Sequence, residues 1–411
     1  MKIKNIEGGV AAPEGYYAAG VRAGIKYKDK YDLAIIMSKV KAKAAAVYTR
    51  NLVKAHPLLL NMQHLTDGEA QAIVVNSGNA NACMGEPGEK AALEMAVQTA
   101  KELGLKTEDI LVASTGVIGQ PMPMEKIIPG IAKAAASVQE LLQTEPDRET
   151  KAGTAHEAAL AIMTTDLVPK EKAYELECAE GTVKLGIIAK GSGMIHPNMG
   201  TMLCFITTDG AFDSEVLGKL LKEAVDKSFN MVTVDGDTST NDMVLLLANG
   251  RSGIRPQGEE LRQFREMLDH ACVAMAKAIA RDGEGATKLI EVQVNGAGTV
   301  KDAGQIVKSV CSSSLVKTAI YGQDANWGRI LCAAGYSGAV FDPEGTSIYL
   351  NGLQVAQDGR AIPFSEDEAL ELLKNQEIVI RIDLKDGQEN AVGWGCDLTH
   401  KYVDINADYR T

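Results

Sequence analysis

One stretch of sequence governs what can be predicted for this chain, Lys190-Gly-Ser-Gly-Met-Ile-His-Pro-Asn-Met-Gly-Thr-Met-Leu-Cys-Phe-Ile-Thr-Thr-Asp209. A polar, Gly-rich loop ends at Gly200, and an apolar run of strand character follows Thr201 at once. A structural threonine is the simplest interpretation, because β-branched residues favour strands. A self-cleaving protein would also carry its nucleophile here, because cleavage before Thr201 would release its α-amine. That amine, with a pKa of roughly 7.7–8.0, can act as general base for the hydroxyl of the same residue.

The composition indicates a globular protein without a nucleic-acid partner. The chain has 411 residues, of which 45% are hydrophobic, and this length exceeds what one core usually holds. We therefore expect two domains or two interlocked halves. The formal net charge of −12 argues against nucleic-acid binding, because that function requires a positive surface.

The cysteines and the apolar runs bear on the cellular location. Seven scattered cysteines without a Cys-x-x-Cys pair are typical of reduced thiols in the cytosol. The N-terminal residues lack the apolar region of a secretory signal. No apolar run approaches the roughly 20 residues that a membrane span needs. The sequence predicts a soluble, cytoplasmic protein without a membrane partner.

Strand and helix patterns alternate along the chain, which predicts a mixed α/β (α+β) fold. Short strands are expected at 33–37 and 44–48, joined by a Lys-rich turn, and a hairpin is expected within 176–189. Further strands are predicted at 231–234, 243–247, 290–294, 347–350 and 378–382. Helical patterns cover 86–103 with Gly104 as C-cap, 124–142 with a break near Pro129, 151–163, 214–229, 259–281 and 303–320. No flexible linker lies near residue 200, so the two halves are expected to share a core.

Several longer motifs resemble, in order, the signatures of one family. They are Asn76-Ser-Gly-Asn-Ala-Asn-Ala-Cys83, Ser114-Thr-Gly-Val-Ile-Gly119, Met163-Thr-Thr-Asp166, the stretch quoted above, Val234-Asp-Gly-Asp-Thr-Ser-Thr-Asn-Asp242, Asp282-Gly-Glu-Gly-Ala-Thr-Lys288 and Tyr402-Val-Asp-Ile-Asn-Ala-Asp-Tyr-Arg-Thr411. On these motifs the chain resembles the glutamate N-acetyltransferase (ornithine acetyltransferase) family along essentially its whole length. Gly200 and His196 depart from the family, which often has Ala at the first position and a small residue at the second.

The resemblance implies an N-terminal-nucleophile-like arrangement of layered sheets and helices. It also implies self-cleavage between Gly200 and Thr201. The N-terminal fragment, residues 1–200, would carry the oxyanion-hole and substrate residues, and the C-terminal fragment, residues 201–411, would begin with the nucleophile. The two fragments would stay associated in one intertwined structure, as a heterotetramer.

The implied activity is an acetyl transfer of arginine biosynthesis. Acetyl would move from N-acetylornithine to glutamate by a ping-pong reaction through acetyl-Thr201. No cofactor is implied, and the sequence leaves open whether acetyl-CoA is also a donor. Thr115 and Gly116 match the oxyanion-hole positions of the family. Their spacing alone is equally consistent with an ordinary turn at the end of a strand.

The resemblance also implies a set of substrate-binding residues. These are Thr164 or Thr165, Lys190, Thr201, Glu284, Asn406 and Thr411. Lys190 would bind a substrate carboxylate, and Glu284 would bind the side-chain ammonium of ornithine. The adjacent threonines cannot be told apart, because alternation along a strand would direct only one of them inward.

Metal and rival catalytic motifs are poorly supported. His196 is a second candidate for the general base, ranked below the α-amine. The histidines show no metal-ligand spacing, and Asp404-x-Asn406-x-Asp408 lacks the Gly and distal Glu of a calcium loop. Ser314-Leu-Val-Lys317 fits the Ser-x-x-Lys pattern of penicillin-recognising hydrolases, but the match is short and is expected within a helix.

Two other functions stay open. An amidohydrolase or aminopeptidase could use the same self-processed nucleophile, because hydrolysis and transfer differ only in what attacks the acyl-enzyme. An amino-acid-binding protein whose loop is never cut is the non-enzymatic alternative.

Overall fold

Strands and helices alternate through residues 3–196 and 202–408, which are the residues that the computed structural model describes. These residues divide into two compact units. The first contains the described residues of Met1–Gly191, Asn198–Asp226 and Thr238–Met275, and the second contains those of Ser192–Pro197, Lys227–Asp237 and Ala276–Thr411. Each unit therefore draws on chain from both sides of residue 200.

The first unit is built on a nine-stranded sheet in the order β1-β6-β7-β8-β9-β3-β4-β5, with β2 paired to β3. Its strands are β1 (Ile3–Ile6), β2 (Tyr16–Val21), β3 (Leu33–Tyr48), β4 (Glu69–Asn79), β5 (Ile110–Val117), β6 (Lys170–Cys178), β7 (Gly181–Lys190), β8 (Leu203–Thr208) and β9 (Met243–Ala248). The associated helices are α1 (His56–His64), α2 (Glu86–Leu103), α3 (Met124–Thr144), α4 (Arg148–Ala161), α5 (Ser214–Lys227) and α6 (Gly258–Arg281), with Lys227 and residues 276–281 of α6 assigned to the second unit.

The central strands of this sheet are apolar on both faces, because each face is covered. In β3, Ala34 and Ile36 belong to one buried cluster, whereas Leu33 and Ile35 belong to another. Side chains alternate between the faces of a strand, so the two clusters lie on opposite sides of the sheet. A continuous apolar run is what such a doubly covered strand requires.

The second unit is built on a six-stranded sheet in the order β13-β12-β11-β14-β10-β15. Its strands are β10 (Leu289–Ala297), β11 (Ser347–Leu350), β12 (Leu353–Gln357), β13 (Arg360–Ala361), β14 (Glu377–Asp383) and β15 (Glu389–Cys396). Its helices are α7 (Val300–Ser312), α8 (Ser314–Tyr321), α9 (Trp327–Gly335), α10 (Glu366–Leu373) and α11 (His400–Ala407). The alternating residues Ile290, Val292 and Val294 of β10 enter the core of this unit.

Strands on either side of residues 197–201 are neighbours in the first sheet. β7 pairs antiparallel with β8, with Lys190 opposite Leu203, and β8 pairs parallel with β9. The expected sharing of one core by both halves of the chain is therefore observed. The fragments 1–200 and 201–411 are a different division from the two units, and they stay a prediction.

Most predicted elements are confirmed, and with them the mixed α/β fold. The helix over residues 86–103 is α2, and Gly104 follows it with a left-handed φ of 69°. The hairpin within 176–189 is formed by β6 and β7. The Ser-x-x-Lys pattern falls within α8, as expected. None of the helices in the described part of the chain is long and apolar enough to cross a membrane.

Four local predictions are wrong. The expected turn between 33–37 and 44–48 is the middle of the single strand β3. The helix α3 continues through Pro129, because its buried face, which includes Ile127 and Ile131, packs against the core on both sides of the proline. Residues 303–320 form two helices, since Ser313 ends α7 and caps α8. Residues 231–234 form no strand, and only an isolated bridge links Val232 to Trp394.

Candidate active site

The predicted nucleophile and cleavage residues, Gly200 and Thr201, lie outside the described residues, as does Thr411. The description resumes at Met202, which is buried and whose carbonyl accepts a hydrogen bond of 3.0 Å from the Met243 N–H. β8 then begins at Leu203. The prediction that a strand follows Thr201 is thus confirmed.

Thr115 and Gly116 lie at the end of β5, beside the end of β4. Gly116 has a φ of +133°, and a Cβ built there would lie 2.3 Å from the carbonyl carbon of Gly78. Any side chain at residue 116 would therefore displace the backbone of β4. The strand pairing is also irregular here, because Asn79 is opposite both Thr115 and Val117. The two predicted oxyanion donors thus lie where the strand leaves regular pairing.

A buried network of amide side chains supports this strand end. The Ser114 hydroxyl donates to the Asn76 Oδ1 at 2.6 Å, and the Asn76 Nδ2 donates to the Asn79 carbonyl at 2.9 Å. The Asn79 Oδ1 in turn accepts from the Asn81 N–H at 2.9 Å. These hydrogen bonds give the Ser114, Asn76 and Asn79 side chains the partners that buried polar groups usually require. The polar motif at 76–83 therefore has a structural purpose next to Thr115.

Lys190 ends β7 and is only 7% exposed. Its Nζ donates to the Thr164 Oγ1 at 2.9 Å, and it makes a longer contact of 3.5 Å with the Thr115 Oγ1. The structure thus brings three of the predicted site residues together. Thr164 and Thr165 lie in the loop between α4 and β6, so alternation along a strand does not apply to them. Thr164 is the threonine whose hydroxyl faces Lys190.

Asp166 anchors this cluster, and sequence reasoning did not single it out. Its carboxylate lies 2.8 Å from the Lys170 Nζ and 3.9 Å from the Lys190 Nζ, and it accepts the Gly191 N–H at 2.7 Å. Burial raises the pKa of Asp166, but the Lys190 and Lys170 ammoniums outweigh burial and lower that pKa to about 2. The group is therefore an anion that holds the buried Lys190. Its position next to the two threonines of the 163–166 motif was the available signal.

Asp242 is a second carboxyl that sequence reasoning missed. It is 2% exposed, and its Oδ2 has no hydrogen-bond partner among the described residues. Burial raises the pKa of Asp242 well above its ordinary value, although hydrogen bonding to Ser239, the charge of Lys190 and the Met202 N–H act in the opposite direction. Buried carboxyls with a strongly raised pKa are frequent at functional sites, so Asp242 is a candidate site residue.

Glu284 and Asn406 are together in the second unit. Glu284 is 6% exposed, and its Oε2 accepts a hydrogen bond of 2.8 Å from the Asn406 Nδ2. A Cβ at residue 193 would lie 2.3 Å from the Glu284 carboxyl carbon, so any side chain there would displace the Glu284 carboxylate. The structure thus brings two of the predicted substrate-binding residues into contact, and their roles toward a substrate stay predictions.

His196 also lies in the second unit, where its Nδ1 is 3.1 Å from the Thr233 hydroxyl. Burial and the charge of Lys308 lower the pKa of His196. Asp404 lies within α11, a helix and not a calcium loop. Within residues 3–196 and 202–408, no group of three or more His, Cys, Asp or Glu side chains is arranged to hold a metal ion.

The fold defines a mixed α/β protein, and the buried hydroxyl–ammonium cluster is its candidate active site. Comparison with known proteins identifies the family. The ArgJ family model matches residues 17–411. The arginine biosynthesis bifunctional protein ArgJ of Symbiobacterium thermophilum is 52% identical over 411 residues, covering 99% of each chain. The protein of the same name from Listeria monocytogenes is 47% identical over 410 residues, again covering 99% of each chain. The chain belongs to the ArgJ family.

A solved structure gives a further match. The arginine biosynthesis bifunctional protein ArgJ of Bacillus halodurans is 46% identical, with a TM-score of 0.49, over a region that covers 50% of this chain and 99% of that one. The predicted family is thus confirmed by the family model and the two full-length relatives. The prediction of a transferase that moves acetyl groups in arginine biosynthesis is confirmed with it. Neither the hydrolase nor the amino-acid-binding alternative is favoured.

Proposed function

We propose that this chain transfers acetyl from N-acetylornithine to glutamate through acetyl-Thr201, after cleaving itself between Gly200 and Thr201. One observation carries the proposal. The buried Lys190 ammonium contacts the hydroxyls of Thr115 and Thr164, and Lys190 pairs with Leu203, two residues after Thr201. Paired strands bring opposite residues to about 5 Å between Cα atoms. The predicted oxyanion donor and the start of β8 therefore share one region of the sheet.

Self-cleavage would come first. The Thr201 hydroxyl attacks the Gly200 carbonyl and gives up its proton. The tetrahedral intermediate collapses as the Thr201 nitrogen takes up a proton and leaves, which forms an ester at the Thr201 oxygen. Water then hydrolyses the ester, which frees the Gly200 carboxylate and the Thr201 α-amine. That amine is the base for the second reaction.

Acetyl transfer follows in two half-reactions. The Thr201 hydroxyl attacks the acetyl carbonyl of acetylornithine, the α-amine takes the hydroxyl proton, and the same proton passes to the departing amine of ornithine. The neutral amine of glutamate then attacks acetyl-Thr201 and loses a proton to the Thr201 α-amine, and this proton passes to the departing Thr201 oxygen and restores the hydroxyl. Each tetrahedral intermediate places negative charge on oxygen, which the Thr115 hydroxyl and the Gly116 N–H would stabilise. One such donor is typically worth about 3 kcal/mol in the transition state.

The charges of the described residues support amino-acid substrates. Lys190 offers a cation to a substrate carboxylate, and Asp166 keeps that cation in place. Glu284 offers an anion to an ammonium group, and Asn406 orients it. Neither acyl transfer nor self-cleavage by this route requires a cofactor, so we propose none. We further propose that the two fragments stay associated as a heterotetramer in the cytoplasm.

The choice of donor tests the proposed function. Purified protein incubated with glutamate and acetylornithine is expected to form N-acetylglutamate, because both substrates carry the carboxylate that Lys190 would bind. We further propose acetyl-CoA as a second donor and expect product from it as well. Mass spectrometry after quenching with donor should find an acetyl group on the peptide that begins Thr201-Met-Leu. Release of acetate without acetylglutamate would instead indicate the hydrolase alternative, and product from acetylornithine alone would limit the activity to that donor.

Thr115→Ala is expected to slow acetyl transfer roughly tenfold or more, because the oxyanion would lose one donor. Self-cleavage should slow as well, since it forms the same kind of intermediate. Thr115→Ser keeps the hydroxyl and is the matched control. The measurements are kcat at saturating acetylornithine and the cleaved fraction over time. Equal rates for the alanine and serine variants would remove Thr115 from the oxyanion hole.

A further inference from the structure

The 234–242 motif has no role in the proposed chemistry, although its last residues are buried beside it. Backbone hydrogen bonds hold this segment against residues 49–55. The Ala55 N–H donates to the Thr240 carbonyl at 2.9 Å, and the Thr49 N–H donates to the Asp242 carbonyl at 3.0 Å. These hydrogen bonds fix the backbone of residues 240–242, so the Asn241 side chain starts from a fixed position.

Asn241 is the side chain that extends from this segment toward β5. It is 5% exposed, and its Nδ2 donates to the Ala80 carbonyl at 2.6 Å and to the Ser114 carbonyl at 2.8 Å. Its Oδ1 accepts the Thr240 hydroxyl at 2.6 Å. Both N–H groups of the amide are thus used, each on a buried backbone carbonyl of a different segment.

We propose that Asn241 is a positioning residue for the oxyanion donors Thr115 and Gly116. This inference rests on the proposed function. The Ser114 carbonyl and the Thr115 N–H belong to one planar peptide unit, so fixing the carbonyl fixes the direction in which the chain enters Thr115.

Gly116 gives a second reason. It has no side chain to anchor it, and its backbone closely approaches Gly78 and the Asn79 nitrogen. Ala80 follows directly, and its N–H donates to the Val117 carbonyl at 3.0 Å. Asn241 therefore fixes two carbonyls around Gly116. One is that of Ser114, two residues before Gly116, and the other is that of Ala80, whose N–H bonds the Val117 carbonyl just after Gly116. Loss of the amide would let the two strand ends shift relative to each other.

Loss of stability alone cannot test this role, because removing any buried amide leaves carbonyls without partners. The chain offers a matched control on the same strand. Asn61 is 0% exposed, and its side chain donates to the Val112 carbonyl and accepts the Val112 N–H, both at 2.8 Å. Asn61 thus also makes two side-chain hydrogen bonds to β5, but at Val112, three residues before Thr115.

The experiment compares Asn241→Ala with Asn61→Ala, each normalised to its cleaved fraction. We expect Asn241→Ala to lower kcat for acetylornithine roughly 10- to 100-fold, with KM nearly unchanged, because small misplacements of catalytic groups have effects of this size. Self-cleavage should slow in parallel. Asn61→Ala should lower the free energy of unfolding in urea by about as much as Asn241→Ala does, and its kcat should stay within about twofold of the parent value. Asn241→Ser, whose hydroxyl is too short to reach both carbonyls, is assayed alongside and should show the same loss of kcat.

A double-mutant comparison identifies the groups through which Asn241 acts. In a Thr115→Ala background, Asn241→Ala should lower kcat by a smaller factor than in the parent protein, because one of the donors that it positions is already gone. Three results would each overturn the inference. They are an unchanged kcat in the Asn241 variants, a fall in kcat for Asn61→Ala equal to that for Asn241→Ala, and a double variant whose fall in kcat is the full product of the two single falls. The proposed function fails separately, if Thr115→Ala alone has no effect or acetyl-Thr201 never forms.

Discussion

Thr201→Ala is expected to yield a single uncleaved chain that transfers no acetyl groups. The substitution removes the hydroxyl that would attack both the Gly200 carbonyl and the acetyl carbonyl, and without cleavage the α-amine is never released. Removal of the nucleophile in other covalent enzymes lowers kcat by about 10⁶-fold, and we expect a loss of that order. Denaturing electrophoresis and an acetylglutamate assay are the measurements.

Thr201→Ser is the matched control for this prediction. It retains a primary hydroxyl and an α-amine, so it should still cleave and should carry acetyl on Ser at residue 201. His196→Ala tests the rival general base, and we expect it to keep transfer activity once cleaved, because the Thr201 α-amine is the proposed general base. A Thr201→Ala protein that transferred acetyl at a normal rate would refute the nucleophile, whatever its state of cleavage.

Asp166→Asn is expected to destabilise the first unit by about 3–5 kcal/mol, the usual range when one partner of a buried ion pair is removed. The carboxylate and its Lys170 partner are 0% and 1% exposed, and Lys190 is also close. Two buried ammoniums would therefore lose the Asp166 carboxylate as a partner. The measurement is the urea midpoint and slope of unfolding. Glu86→Gln is the control, since Glu86 and Lys90 form an ion pair at the same i,i+4 spacing but are 73% and 74% exposed. The control should change stability by less than about 1 kcal/mol.

The same carboxylate predicts a dependence of stability on pH. Its pKa in the folded protein is about 2, below the ordinary value near 3.9. A lowered pKa contributes stability above the unfolded value, and this contribution is lost as the pH falls toward the folded value. Stability should therefore decline between about pH 4 and pH 2 more steeply in the parent protein than in Asp166→Asn. Identical slopes in the two proteins would show that Asp166 is not paired in solution.

Local sequence patterns correctly predicted the helices and strands whose stabilising residues lie within the element itself. The helix α2 has periodic apolar residues and a Gly104 that adopts the left-handed conformation, and both signals lie within the element itself. The continuity of β3 was missed because its middle is rich in lysine. Lys41 is stabilised there by Asp109 and Glu69, and these partners come from distant segments of the chain. A Lys-rich local sequence is therefore compatible with either a turn or an ion-paired strand.

For this protein, the sequence by itself determined the family, through the order of its motifs, and identified the hydroxyl, Thr201, and the small backbone donor, Gly116, on which the proposed chemistry depends. Only the tertiary structure decided which buried polar groups meet. It showed that Lys190 faces Thr164, that Asp166 holds Lys190, and that Asn241 bridges Ala80 and Ser114. The physical reason is that conformational preference is a property of neighbouring residues, whereas a buried charge or amide is satisfied by whichever distant segment packing brings within 3 Å.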